Sequence, residues 1–318
     1  MAENGAANGE TGETGNATPG RTSESPPGPP SGGPPGGPAG GPSGGLPESP
    51  PAPPAYREGT PCWVEAQLSD VEAGRRFYGE LFGWTFEEAA GEGTAGGPGE
   101  TGEPPGTGTG TGTGAGTPGE PAGPLRAYLD GEPVAALVRK TDGRMPTVWS
   151  VYFHTPDARA LAERIRAGGG QVLTPPHPAG ELGTSALAAD PEGAVFALWQ
   201  PGSRPGFGRR HEPGTFAWAE LYTRDTEAAN AFYGDLFRDA LFGPDADPDF
   251  GRAPVADVFP AEMPPHFLVH FLVRDLEAAL GAVARLGGRV RVPPFETSYG
   301  RAAVVSDGQG ASFALLQR

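Results

Sequence analysis

The chain has 318 residues and a formal net charge of −16, from 39 acidic and 23 basic side chains. This balance argues against a nucleic-acid binder, which normally shows a basic face, and against docking on an anionic membrane. A single cysteine, Cys62, excludes an internal disulfide and a thiolate metal cluster. With no apolar leader core and no apolar run near the roughly 18 residues of a span, the expected location is cytoplasmic.

Residues 1–57 read as a disordered tail, because stretches such as PPGPPSGGPPGGPAGGPSGG hold too few apolar side chains to offset the entropy of ordering. CWVEAQLSDVEAGRRFYGELFGW (62–84) then alternates as a strand and turns helical. Asp70 fits the N-cap, and Ser69 with Glu72 fits a capping box. Phe77, Tyr78, Leu81 and Phe82 form one helical stripe. Residues 90–123, with GTGTGTGTGAGT, read as a flexible insert. The insert is not a phosphate loop, since no Gly-Lys-Ser/Thr follows.

VYFHTPDARALAERIRAGGGQV (151–172) predicts a strand, a helix capped by Asp157 and stopped at glycines, and a second strand. A turn at Asp190 and a closing strand follow in DPEGAVFALWQ. PGSRPGFGRRHEPG marks a Pro/Gly linker, 202–213, whose Arg204, Arg209, Arg210 and His211 read as an exposed connector.

The text then repeats. AWAELYTRDTEAANAFYGDLFRD (217–239) matches 62–84, with Trp218 on Trp63, Glu220 on Glu65 and Asp225 on Asp70. VHFLVRDLEAALGAVARLGGRV (269–290) matches 151–172, and SDGQGASFALLQ repeats the turn at Asp307. The chain therefore reads as four strand–helix–strand–strand–strand units in two pairs, domain 1 over 58–201 and domain 2 over 214–318. The Asp70–Asp157 interval is 37 residues longer than Asp225–Asp275, close to the length of the insert. The fold class is α+β.

Alternation gives each first strand two faces. Val64, Ala66, Val151, Phe153, Ala219, Leu221, Val269 and Phe271 form an apolar face for the helices. The opposite face carries Trp63, Glu65 and Gln67; Ser150, Tyr152 and His154; Trp218, Glu220 and Tyr222; Leu268, His270 and Leu272. Aromatic walls with a few polar groups describe a ligand cavity as well as a solvated sheet face.

The strand–Asp–FYGELFGW segment, its FYGDLFRD copy and DPEGAVFALWQ resemble the vicinal oxygen chelate superfamily of glyoxalases, bleomycin-resistance proteins and extradiol dioxygenases. The two-pair layout is similar to glyoxalase-like proteins common in actinobacteria. The resemblance covers all but the tail and insert. It implies that paired units curl into half-barrels with the site on the concave face. It also implies metal ligands at the start of each first strand and a Glu seven residues after the turn Asp. Those positions hold Trp63, Ser150, Trp218 and Leu268, and Ala197 and Ala314, with Ala135 nearest in the first unit. Glu65 with His154, or Glu220 with His270, falls short of the three protein ligands of a catalytic zinc. No metal or other cofactor is expected.

The ligand-binding candidates are Trp63, Glu65, Gln67, Tyr152, His154, Trp218, Glu220, Tyr222 and His270. Glu220 and His270, expected to face each other across one cavity, are the catalytic candidates if a reaction occurs. His177 and His266 read as surface residues in turns, and Cys62 as a buried, inert thiol. The expected partner is a small organic molecule, with no nucleic acid or membrane, and the oligomeric state is open. The leading expectation is a metal-independent binding protein. The alternative is a lyase, isomerase or dioxygenase using Glu220 and His270 or an atypical metal site.

Overall fold

The computed structural model describes residues 56–88, 123–144, 146–242 and 249–318. Of the tail, only Tyr56 and Arg57 fall within these residues, and of the insert only Gly123. Tyr56 packs on the His154 ring and donates to the Phe207 carbonyl, so folded structure starts no later than this residue.

The first pair of units builds β1 (Pro61–Leu68), α1 (Val71–Phe82), β2 (Thr85–Glu88), β3 (Leu125–Leu129), β4 (Glu132–Arg139), β5 (Val148–His154), α2 (Ala158–Ala167), β6 (Gln171–Pro178), β7 (Gly183–Ala189) and β8 (Val195–Pro201). Its sheet runs β2-β3-β4-β1-β5-β8-β7-β6. The insert position lies in the β2–β3 connection, whose strands pair from Glu88 with Leu125 onward.

The second pair builds β9 (Phe216–Thr223), α3 (Thr226–Phe242), β10 (Phe250–Pro254), β11 (His266–Leu272), α4 (Leu276–Arg285), β12 (Arg289–Thr297), β13 (Gly300–Ser306) and β14 (Ser312–Gln317), in the order β10-β9-β11-β14-β13-β12. Two tandem α+β half-barrels result. The third unit is abbreviated: among the described residues its helix is followed by the single strand β10. The residues that form a hairpin in the first unit go partly into helix, since α3 has 17 residues and α1 has 12. Length accounting alone therefore misassigns this unit.

The capping aspartates behave as their positions predict. Asp70 accepts from Ala73 N, Asp157 from Arg159 N and Ala160 N, Asp225 from Glu227 N and Ala228 N, and Asp275 from Ala278 N. Ser69 is not the cap, and the Glu72 carboxylate turns to Arg75. Gly83 ends α1 at φ +76°, a left-handed conformation that glycine enters without a Cβ clash.

The apolar faces of both sheets meet back to back. All eight residues predicted for that face are fully buried. Phe271 of β11 lies 5.0 Å from the ring of Trp149 on β5 and 5.0 Å from Phe82 on α1. Phe153 lies 5.2 Å from both Phe237 and Phe250. One core thus serves both domains, and the repeated helix text supplies its fastening. Tyr78 of FYGELF donates to Asp307 Oδ2 at 3.0 Å, and Tyr233 of FYGDLF donates to Asp190 Oδ2 at 3.1 Å. Each tyrosine reaches the turn aspartate of the other domain. The second carboxylate oxygen of each aspartate holds its own turn, through Glu192 N and Ala194 N or Gln309 N and Ala311 N.

The turns also grip the opposing helix starts. Gln309 bonds both Asp70 N and Asp70 O, while the Glu192 carboxylate accepts from Arg224 N, Asp225 N and the Thr223 hydroxyl. A Cβ on Gly170 would fall 3.1 Å from Phe232, and one on Gly288 3.1 Å from Phe77, so the glycines ending α2 and α4 admit the phenylalanine of the other domain's motif. Tyr78→Phe or Tyr233→Phe is expected to cost about 1–3 kcal/mol each, the cost of leaving a buried acceptor without its donor. Urea denaturation measures this, and unchanged stability in both variants would show that the hydroxyls do not fasten the domains.

Candidate functional site

With the apolar faces spent on the shared core, the concave faces are left for ligands. Strand register sets four equivalent positions level with one another: Glu65 beside Ala136, Tyr152 beside Ala197, Glu220 beside Gly251 and His270 beside Ala314. A larger first-strand residue thus lies next to a small one on the neighbouring strand, which leaves space above the sheet.

In domain 2 this space is a cavity of about 440 Å³, within the range of small-molecule sites. Trp218, Glu220, Tyr222, His270, Tyr299 and Leu316 are among its lining residues. Among the described residues β10 is the edge strand on that side, and Ala253, Asp257 and Val258 also line the cavity. Trp218 Nε1 donates to Glu220 Oε2 at 2.7 Å, so indole and carboxylate fix each other's orientation. Gly251 permits this arrangement: a Cβ there would lie 2.7 Å from the indole and 2.8 Å from Glu220 Oε1. Tyr299 lies with its ring centroid 4.6 Å from that of Trp218. Burial raises the Glu220 pKa, opposed by the Trp218 bond and by the charge of Arg252. The Arg252 guanidinium itself bonds Asn230 of α3 and covers Phe250, on the helix side of the sheet.

His270 is 5% exposed, and burial pulls its pKa down to about 4, against the pull of its backbone bonds. It is therefore neutral near pH 7, with Nδ1 bonded to the Leu268 carbonyl at 3.2 Å, a contact that places the proton on Nδ1.

Domain 1 differs. Its concave cavity is about 40 Å³, room for about three waters. Glu65, Gln67, Tyr152, Thr174, His177 and Ser185 are among its lining residues. The other end of the face is filled by the linker. Arg204 lies over both Trp63 and Trp199, at 5.1 and 4.4 Å from the ring centroids, and Phe207 packs on Trp63 at 5.6 Å. The linker is not the exposed connector expected from its Pro/Gly content. Phe207 is buried, Arg209 pairs with Asp130, and Arg210 and His211 both hold the buried Asp249 carboxylate. Aromatic partners distant in sequence explain the difference, because composition reports turn propensity and not packing.

The structure thus gathers Trp218, Glu220, Tyr222 and His270 at one cavity, and Glu65, Gln67 and Tyr152 at the other. Trp63 is sealed under the linker, and His154 packs on Tyr56 instead of lining either cavity. Glu220 and His270 do not face each other across a cleft. They sit on adjacent antiparallel strands, one diagonal step apart, since His270 pairs with Trp218 and Glu220 with Leu268. His177 belongs to strand β6 and lines the domain 1 cavity, and His266 belongs to β11 and stacks on Tyr222, so neither is a surface turn residue. Cys62 is fully buried, its pKa raised by desolvation. Tyr299 was missed because TSYG reads only as a hairpin tip, and Arg204 because nothing local marks it.

The donors for a metal do not fit. The four last-strand positions are Ala136, Ala197, Gly251 and Ala314, with Ala135 on the opposite face from Ala136. Among the described residues no group of three or more His, Cys, Asp or Glu side chains could hold an ion. Nor is any described helix long and apolar enough to cross a membrane.

Comparison with known proteins places these features. The family model described as Glyoxalase/Bleomycin resistance protein/Dioxygenase superfamily matches residues 62–198. The chain is 32% identical over 284 residues to the putative glyoxylase CFP32 of Mycobacterium tuberculosis (strain CDC 1551 / Oshkosh), covering 82% of this chain and 96% of that protein. It is 32% identical over 272 residues to the anthracycline biosynthesis protein DnrV of Streptomyces peucetius, covering 82% and 94%. Among solved structures it is similar to the 2,3-dioxygenase LapB of Pseudomonas sp. KL28, with a TM-score of 0.52 at 14% identity over 83% of this chain and 93% of that one; this likeness shows the fold alone.

The buried imidazole makes stability depend on pH. Its folded pKa of about 4 lies below the unfolded value of about 6.5. The unfolded chain therefore binds the extra proton between these values, and stability falls as pH drops through that window, by about 3 kcal/mol from this group. His270→Asn is expected to remove that share of the loss between pH 7 and 4 in urea titrations. An identical pH profile in the variant would contradict a neutral, buried His270.

Proposed function

The chain belongs to the Glyoxalase/Bleomycin resistance protein/Dioxygenase superfamily, and from that premise we propose that domain 2 binds a small organic molecule on its concave face without a metal ion. The observation that carries this reading is the aromatic cavity of about 440 Å³ in domain 2, set against about 40 Å³ in domain 1. Alanine and glycine at the last-strand positions favour ligand volume over metal donors. Trp218 and Tyr299 offer flat surfaces to a planar ring system. The relative named for anthracycline biosynthesis fits a planar aromatic ligand, and the one named as a putative glyoxylase fits small-molecule chemistry.

A second reading rests on Glu220. Its carboxylate is partly desolvated, and the Trp218 N–H engages only one of its oxygens. The other oxygen is suited to accept a proton from a bound substrate. Neutral His270, one step away, would then complete the polar part of a lyase or isomerase site.

Leu316 occupies the position that Trp199 holds in domain 1, each paired with the matching strand residue. Leu316→Trp therefore fills the cavity with a residue the homologous fold already accepts. A thermal-shift screen of planar aromatic compounds is expected to give hits that survive exhaustive chelation and disappear in Leu316→Trp. Hits that require added divalent metal, or that persist in the variant, would overturn the proposal.

A further inference from the structure

The two concave faces are built from equivalent residues, and one of them already shows what it holds. In domain 1 the equivalent set is Trp63, Glu65, Tyr152 and Trp199. The Arg204 guanidinium rests on both indoles, and its charge is near enough to act on the Tyr152 hydroxyl, which is hydrogen-bonded to Glu65. A planar cation resting on aromatic faces is a favourable arrangement in a partly desolvated site, and the Glu65 carboxylate is linked to it through the Tyr152 hydroxyl. The linker supplies that cation from within the chain. The Trp199 Nε1 bond to the Arg204 carbonyl, 2.9 Å long, and buried Phe207 hold the segment in place.

Domain 2 repeats the receptor half of this arrangement. Trp218 takes the place of Trp63, and Glu220 that of Glu65. Leu316 replaces Trp199, and Tyr299, from the β12–β13 hairpin, provides the second aromatic ring, 4.6 Å from Trp218. The cavity lining adds Asp257 and Glu296 to Glu220, while its one arginine, Arg252, bonds Asn230 of α3 and covers Phe250, although its charge still acts on Glu220. The lining is acidic and aromatic.

We infer that the domain 2 cavity takes an organic cation, a guanidinium, amidinium or ammonium group carried on an aromatic frame, in the place that Arg204 fills in domain 1. This rests on the reading of that cavity as a ligand site and adds the charge and class of the ligand. Trp218 and Tyr299 meet the flat cation or its ring, and Glu220 is the counter-charge on the floor. Domain 1 is the self-occupied copy, closed by its own linker.

The test uses three compounds of one shape and different charge: naphthalene-2-carboxamidinium, naphthalene-2-carboxamide and naphthalene-2-carboxylate. Each is titrated into the full-length chain by calorimetry and ligand-observed NMR at pH 7. The amidinium is expected to bind at least tenfold more tightly than the amide, with a stoichiometry of one, and the carboxylate more weakly than either. Glu220→Gln is expected to weaken the amidinium about tenfold and leave the amide unchanged, and Trp218→Leu to weaken both. Arg204→Ala is expected to raise the amidinium stoichiometry from one to two by opening the domain 1 face. If the amide or carboxylate binds as tightly as the amidinium, and Leu316→Trp abolishes it, the cavity is a ligand site but not one for cations. If none of the three binds, or if Leu316→Trp leaves amidinium binding intact, both the cation assignment and the underlying site are overturned. A stoichiometry that stays at one in a folded Arg204→Ala variant would contradict the parallel between the domains.

Discussion

Two buried tyrosine hydroxyls, Tyr78 and Tyr233, each donate to an aspartate in the other domain, and the remaining architecture follows from that exchange. Asp307 and Asp190 organise their own turns with one oxygen and receive the foreign tyrosine with the other. Neither domain completes its turn chemistry alone. Burial raises the pKa of both aspartates, and the tyrosine bond is among the interactions that oppose this. The repeated FYG text is thus not a catalytic motif duplicated for a second active site. Its tyrosine, its neighbouring phenylalanine and the facing Gly170 or Gly288 fasten two half-barrels through one core.

Fastening the domains back to back has a functional consequence. Each sheet spends its apolar face on the seam, and both concave faces point away from it. What then separates the domains is what covers each face. Domain 1 keeps its β2–β3 hairpin, places Trp199 on its last strand and receives Arg204 and Phe207 from the linker. Domain 2 has only β10 on the matching side among the described residues, places Leu316 on its last strand and stays open. The pair resembles a duplicated receptor in which one copy has closed on its own chain and the other keeps a cavity.

Much of the fold was legible because it depends on local signals repeated at fixed spacing. The four capping aspartates, the strand alternation and the glycine stops each act within a few residues, and all are found where the sequence places them. Trp218, Glu220 and His270 share a face because alternation alone dictates it. Other features escaped for a common reason, which is that they depend on contacts between distant segments. Arg204 looks like any linker cation until Trp63 and Trp199 appear beneath it. His177 looks like a turn residue because the prolines around it suppress strand propensity, yet the edge strand β6 tolerates them. The abbreviated third unit escaped because a longer helix hides a missing hairpin in a count of residues. The diagonal placement of Glu220 and His270 required strand register, which turns and bulges decide.

Domain 2 is thus proposed as the working receptor, with domain 1 closed by Arg204. A crystal structure of the full chain with a bound amidinium tests this most directly. The expected result is ligand density in the domain 2 cavity, against the Trp218–Tyr299 pair and beside Glu220, with Arg204 still resting on Trp63 and Trp199. Ligand density on the concave face of domain 1, with Arg204 displaced and the domain 2 cavity empty, would contradict it.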